Sequence, residues 1–305
     1  MSLVYLSLGS NLGNREENLN KAIQELSKIA RILRISNYYE TKPYGYHKQP
    51  DFINCAVSIE TSLTPQELLK EIKNIEKRLG RENRERWRER IIDIDILYYD
   101  NLIINQENLK IPHPDLEYRE FVLKPLSEIA EDFLHPILKK STKNLLEELR
   151  DKPYVDFLET PPGKFFFAVR GNEVVQTSFK EIRGRRENNA LLEQLKNRLM
   201  EYFGGKPTDF SNFTLRMENV PPFYQRVYHY LRNYIKWGSV ITYGELAIKV
   251  GCKNGGRAIG NAMARNPFPI LVPCHRVLRK GNKLGGFGGG ENWKKYLLSI
   301  EGIVI

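Results

Sequence analysis

The chain has 305 residues, 41% hydrophobic and 28% charged, which fits a globular protein of about two domains and excludes a disordered, collagen-like or disulfide-stapled chain. Its net charge of +10 is uneven: residues 1–159 hold 24 Lys/Arg against 27 Asp/Glu, and residues 160–305 hold 23 against 10, so a polyanionic partner, or merely a basic solvated surface, belongs to the second half. No apolar run reaches the ~20 residues of a membrane span, the start MSLVYLSLGSN lacks a basic secretion-signal region, and Cys55, Cys252 and Cys274 cannot form a disulfide framework, so the expected setting is a reduced cytoplasm.

Residues Leu3 to Leu8 predict a strand, stopped by Gly9-Ser10-Asn11. Leu19, Ala22, Ile23, Leu26, Ile29 and Ala30 then recur at helical spacing. Strands are expected near 33–40 and 52–60. Thr64-Pro65-Gln66-Glu67 has the form of a capping box with proline at the first helical position, and Leu68, Leu69, Ile72, Ile75 and Leu79 carry that helix to Gly80. Ile92 to Tyr99 is a further strand. The order β-α-β-β-α-β is the ferredoxin-like one. A domain boundary is expected within 151–164, which contains Lys152-Pro153 and Thr160-Pro161-Pro162-Gly163. Beyond it, 165–170 and 173–179 read as a hairpin about Gly171-Asn172. Leu191, Leu192, Leu195, Leu199 and Phe203 form a helical stripe ending at Gly204-Gly205. Helices follow near 222–236, 243–250, 256–265 and 291–300, with a glycine-rich stretch at 281–290. The fold class is α+β throughout, a ferredoxin-like domain followed by a small α/β part and a largely helical part.

Asp93 and Asp95 stand two apart on a strand, so both carboxylates share one face, opposite Ile92, Ile94 and Ile96. Paired hard oxygen ligands suit Mg²⁺, which commonly completes its shell with substrate phosphates. Arg81, Arg84, Arg86, Arg88 and Arg90 lie just upstream, and guanidiniums beside such a pair suit a triphosphate. Taken alone, Asp-x-Asp also suits a solvated strand face.

The wider set is more specific. LGSNLGNR at 8–15, TKPYG at 41–45, QPDFIN at 49–54, ERW at 85–87, RIIDIDIL at 90–97 and PHPDLEYREF at 112–121 follow in order. Together they resemble 6-hydroxymethyl-7,8-dihydropterin pyrophosphokinase over residues 1–158. The resemblance implies a ferredoxin-like fold and transfer of pyrophosphate from ATP to a pterin hydroxymethyl group, with two Mg²⁺ ions. It implies that Asp93 and Asp95 hold the metal and that Arg81 and Arg90 act on the phosphates. His113, Arg119, Arg84 and Glu76 would bind ATP, and Thr41, Pro43, Tyr44, Asn54 and Phe121 the pterin. Two departures stand out. The family's Trp-Gly-Pro-Arg is Trp87-Arg88-Glu89-Arg90 here, and its second arginine after Arg81 is Asn83, with Arg84 beside it.

In the second half, Pro273-Cys274-His275-Arg276 sets a thiol beside a base, a candidate nucleophile pair, although adjacency alone more often marks a small buried hydrophobe. Upstream, 243–250, a turn at 251–255 and 256–265 form a helix–turn–helix candidate. VITYGELA at 240–247, GGRAIGNAMARNPFPILVPCHRV at 255–277 and LLSIEG at 297–302 resemble methylated-DNA–protein-cysteine methyltransferase. The motifs span 218–305, with 160–217 as that family's variable N-terminal domain. The resemblance implies irreversible transfer of an alkyl group from O6 of guanine in double-stranded DNA to Cys274. His275 would be the base through a water, Glu301 would orient it, and Asn266 would fix the turn. Tyr243 would rotate the nucleotide's phosphate and donate to the leaving guanine. Arg257, Gly260 and Ala262 would lie on the DNA-binding helix, with Arg257 filling the stack. No zinc is expected. Leu284 to Gly290 is glycine-rich, with Phe287 where tyrosine is common, and a roomy, mobile pocket wall is expected there. The reading is thus a fusion of two enzymes. The alternatives are a lesion-binding sensor in the second half or an inactive platform in the first.

Overall fold

The computed structural model describes residues 1–43, 49–81, 89–187, 189–281 and 283–305. It divides into two compact units, Met1–Lys152 with a short segment from Arg185, and Pro153–Gly184 with Asn189–Ile305.

The first unit is built on β1 (Ser2–Ser10), α1 (Arg15–Leu26), β2 (Arg31–Ile35), β3 (Tyr39–Thr41), β4 (Phe52–Thr61), α2 (Pro65–Arg78) and β5 (Asp93–Tyr99). The strand order is β2-β4-β1-β5, with β3 also on β4, and β1 runs antiparallel to both β4 and β5. This is the expected ferredoxin-like arrangement. The predicted single strand at 33–40 is two short ones, and α1 ends at Leu26, although Ile29 and Ala30 still pack on the core. Thr64 and Glu67 form the capping box read from the sequence.

The alternation of β1 decides where the site lies. Val4, Leu6 and Leu8 are fully buried and pack with Leu19 and Leu26 of α1 and Leu68 and Ile72 of α2. Tyr5, Ser7 and Gly9 point to the other face. There Tyr5 meets the core of α3 (Glu120–Ile129) and α4 (Thr142–Leu149) through Leu123, Leu126 and Leu145. Ser7 and Gly9 pair with Asp95 and Asp93, and small residues opposite two carboxylates leave a hollow. A short pair, β6 (Ile104–Asn105) and β7 (Lys110–Ile111), precedes the His113 segment.

The second unit opens with the sheet β8 (Tyr154–Thr160), β9 (Gly163–Arg170) and β10 (Glu173–Ser178), in the order β10-β9-β8. The boundary expected within 151–164 falls between Lys152 and Pro153, and most of the remaining stretch is strand. Residues 154–160 pair with β9 from Tyr154↔Val169 to Thr160↔Gly163, and Pro161-Pro162 is the turn of that hairpin. The hairpin about Gly171-Asn172 is present. Phe165, Phe167 and Val169 of β9 share one core with Leu192, Leu195 and Leu199 of α5 (Ala190–Phe203). That core continues through α6 (Pro222–Tyr234), α7 (Tyr243–Lys249), α8 (Gly256–Ala264) and α9 (Glu291–Ile300). A parallel pair, β11 (Ile241–Thr242) and β12 (Val277–Leu278), ties the segment before α7 to the segment after Cys274. No helix among the described residues is long and apolar enough to cross a membrane.

Candidate active sites

The first unit holds a cavity of about 230 Å³ on the Ser7–Gly9 face of the sheet. Of the expected residues, Thr41, Asn54, Arg81, Arg90, Asp93, Asp95, His113, Arg119 and Phe121 line it. The strand pleat explains the grouping. Asn54 pairs with Gly9 across β1–β4, and Asp93 pairs with Gly9 across β1–β5, so one strand presents both to the same hollow. Asn54 donates to Thr41 Oγ1 at 2.6 Å. A Cβ on Gly9 would come within 2.6 Å of Asn54 Oδ1, so only glycine leaves that amide where it is.

Asp93 is bracketed by guanidiniums, Arg81 at 2.8 Å and Arg90 in close contact. Asp95 lies 3.8 Å from His113 Nε2. Burial alone would raise the Asp95 carboxyl. The charges of His113, Arg119, Lys73 and Arg90 outweigh burial and hold it below the ordinary range. Burial lowers His113. Among the described residues no three His, Cys, Asp or Glu side chains converge as a metal site. Two carboxylates opening on a cavity still suit a hard cation whose other positions go to phosphate and water.

Two expected residues lie elsewhere. Glu76 is 1% exposed and does not line the cavity. It sits beneath the cavity, accepting from the Ile94 amide at 2.8 Å, from Lys73 at 2.8 Å and from Arg81, so it supports the site and is corrected as a ligand contact. Pro43 is buried and also absent from the lining. Tyr44, Arg84 and the Trp87-Arg88 part of the altered loop lie outside the described residues. Gln49, Phe52 and Lys73 line the cavity and were not singled out. Phe52 was legible, since it shares the strand face of Asn54 two residues on.

In the second unit Cys274 is 4% exposed, in a 3-10 turn over Cys274–Arg276. Upstream, Asn266 donates to Val272 O at 3.0 Å and accepts from the Phe268 amide at 2.9 Å, closing the turn that delivers the thiol. Within this turn Ile270 has φ 75°, a strained value for a β-branched residue. Thr177 of β10 braces it, its hydroxyl donating to Pro269 O at 2.8 Å and its amide to Pro267 O at 3.0 Å.

Behind the thiol, His275 Nε2 lies 2.8 Å from Glu301 Oε1. Arg276 holds both oxygens of Glu301, Nε to Oε2 at 2.8 Å and Nη2 to Oε1 at 3.0 Å. Glu301 is depressed to about 2: burial raises it, and the hydrogen bonds and charges of His275 and Arg276 overcome that. A carboxylate acceptor puts the His275 proton on Nε2 and leaves Nδ1 as a lone pair. Nδ1 is buried without a protein hydrogen-bond partner. Burial raises the Cys274 thiol, against the pull of Asn266, Lys294 and two backbone amides. A neutral thiol beside a neutral imidazole is a pair that reacts only when the base takes the proton.

A cavity of about 570 Å³ opens on Cys274, lined also by Tyr243, Arg257, Gly260, Arg279 and Phe287. Arg257 is exposed on α8. Ala262 is 0% exposed and packs in the core, so its expected place on the DNA-binding face is corrected. On α8 the inward stripe is Ile259, Ala262 and Met263. Phe287 packs at a tilt against Phe179, ring centroids 5.3 Å apart, and a Cβ on Gly289 would meet Phe179 at 2.7 Å. The glycine-rich wall is thus seated on an aromatic cluster. Lys294 is fully buried and donates to Val277 O at 2.7 Å, and burial brings it down to about 8. Tyr202, Arg276 and Lys294 were not singled out, because a tyrosine in an apolar helical stripe reads as core.

Comparison with known proteins bears on both units. Residues 5–131 match the family 7,8-dihydro-6-hydroxymethylpterin-pyrophosphokinase, and residues 222–303 match the DNA binding domain of 6-O-methylguanine DNA methyltransferase. A 2-amino-4-hydroxy-6-hydroxymethyldihydropteridine pyrophosphokinase of Aquifex aeolicus is 45% identical over 159 residues, 52% of this chain and 99% of the relative. Its namesake in Haemophilus influenzae is 44% identical over 138 residues, 45% of this chain and 86% of the relative. The Mycobacterium tuberculosis OGT, solved in complex with DNA, is 31% identical, covering 49% of this chain and 93% of that one with a TM-score of 0.44. The chain therefore belongs to the 7,8-dihydro-6-hydroxymethylpterin-pyrophosphokinase family and carries, fused behind that domain, the DNA-binding domain of the 6-O-methylguanine DNA methyltransferases.

Proposed function

We propose that the chain is bifunctional, transferring pyrophosphate from ATP to 6-hydroxymethyl-7,8-dihydropterin in its first unit and an alkyl group from O6-alkylguanine in DNA to Cys274 in its second. Residues up to Lys152 form the pyrophosphokinase, 153–217 the N-terminal part of the alkyltransferase and 218–305 its catalytic, DNA-binding part. The observation that carries the first activity is the convergence of Asp93, Asp95, Arg81, Arg90 and Asn54 on one cavity. The pterin hydroxymethyl oxygen attacks the β-phosphorus, the bond to the α-phosphate oxygen breaks, and AMP leaves. Asp93 and Asp95 would hold the Mg²⁺, two ions by the resemblance, which supplies charge neutralisation on the phosphates. Arg81 and Arg90, which sit on Asp93 here, turn to the phosphates. His113 and Arg119 bind ATP. Thr41 and Asn54 hold the pterin edge, and Phe121 stacks on its ring.

The second activity is carried by Cys274 at the cavity wall with the His275–Glu301 pair behind it. The thiol proton passes through a water to His275 Nδ1, the sulfur takes the alkyl carbon, the O6–carbon bond breaks, and the guanine takes a proton from the Tyr243 hydroxyl. Arg257 occupies the stack left by the flipped base. Three free cysteines suit a reducing, cytoplasmic setting in which such a thiol persists. The pyrophosphokinase reading is tested by AMP release from ATP with the pterin and Mg²⁺. Turnover is expected in the parent and its loss in Asp95→Ala; a parent without turnover contradicts the reading.

A further inference from the structure

Glu301 Oε1 accepts from three donors. His275 Nε2 lies at 2.8 Å, Arg276 Nη2 at 3.0 Å and the Tyr202 hydroxyl at 2.8 Å. The third donor comes from α5, 73 residues from His275 in the chain and outside the matched span 222–303. Tyr202 is 0% exposed, its ring edge-on to Trp237 at 5.3 Å. Its hydroxyl, buried among apolar rings, touches two polar atoms, Glu301 Oε1 and, at 3.2 Å, His275 Nε2.

We propose that Tyr202 is a positioning residue for the alkyl-transfer reaction, holding the Glu301 carboxylate so that Oε1 faces His275 Nε2 and the imidazole keeps Nδ1 free as the base. The proposal rests on the alkyltransferase reading above. Arg276 alone grips Glu301 as a fork, and a fork satisfied by both oxygens does not fix which of them serves the imidazole. The Tyr202 hydroxyl breaks that symmetry. When His275 takes the thiol proton, its Nε2–H stays shared between Glu301 Oε1 and the Tyr202 oxygen. The segment ahead of the DNA-binding domain thereby completes the active site.

The charged and titratable groups facing His275 are Glu301 and Lys294 on and after α9, Arg276 in its own turn and Tyr202 on α5. Tyr202 faces Glu301, Arg276 and Tyr296. Without its hydroxyl, Glu301 keeps more of its negative charge for the imidazole, and His275 protonates more readily. Tyr202→Phe should therefore change the pH profile as well as the rate.

The test uses the full chain with a duplex bearing O6-methylguanine, following methylation of Cys274 by mass spectrometry across the acidic and neutral range. Tyr202→Phe is expected to slow transfer about tenfold and to move the acid limb of the profile to higher pH by about one unit, with duplex affinity unchanged. In a Glu301→Gln background the same change should have little further effect. Fluorotyrosine at 202, a stronger donor that preserves the ring, should move the limb the other way, which keeps the test open if Tyr202→Phe folds poorly. Parent rate and limb in both variants, or a slowdown that adds fully to Glu301→Gln with an unmoved limb, would overturn the proposal. A parent chain that never methylates Cys274 would instead sink the alkyltransferase reading.

Discussion

Glu301 links stability to chemistry at the scale of one residue. Its carboxyl moves from the ordinary 4.5 to about 2 in the fold. A depressed carboxyl stabilises the folded state above its unfolded value, and that stabilisation is lost as pH falls through the folded one. A change of this size is on the order of 3 kcal/mol, present above pH 4.5 and gone near pH 2. Glu301→Gln cannot titrate, so the gap in melting temperature between parent and variant should close as pH falls through that window. A gap constant with pH would contradict the assignment. Cys274, His275, Glu301 and Asn266 were legible in the sequence, because PCHRV and the IEG ending are local strings. Tyr202 was not, because its meaning depends on a hydroxyl that reaches a partner 99 residues away. Glu76 was misread for a similar reason: a buried carboxylate beneath a basic cavity and one inside it look alike in a string of letters.

At the scale of the element, the capping boxes that start α2 and α7 are both of the Thr-x-x-Glu type. Thr242 accepts from the Glu245 amide at 3.2 Å, and Glu245 takes the Thr242 amide at 2.8 Å. The helix so started begins with Tyr243, which lines the Cys274 cavity. Thr242→Ala should cost about 1 kcal/mol and slow methylation of Cys274, measured by thermal unfolding together with mass spectrometry. Unchanged stability would show that the box is not what starts α7. The strands and helices with clean periodicity were readable in advance. Helix α3 was not, because Pro125 stands inside it and reads as a breaker. Strand β8 was hidden by Pro161-Pro162, which looks like a linker and acts as a hairpin turn.

For the whole molecule, the informative quantity is the uneven charge. Residues 1–159 are slightly acidic overall and residues 160–305 strongly basic, and the matched domains make physical sense of that split: nucleotide chemistry needs a local cluster of arginines, and a duplex attracts a basic surface as a whole. Composition therefore set the two halves apart before any motif did, and the motifs chose between a polyanionic partner and a basic solvated surface; the pairing of folate chemistry with DNA repair has no cause visible in either fold. We propose that this one chain carries both a pyrophosphokinase and a suicide alkyl acceptor. The most direct test is intact-protein and peptide mass spectrometry after incubation with an O6-methylguanine duplex. A single methyl group per chain is expected, on Cys274 and absent in Cys274→Ser. An unmodified chain that still binds the duplex would contradict the proposal, leaving the second half a lesion sensor.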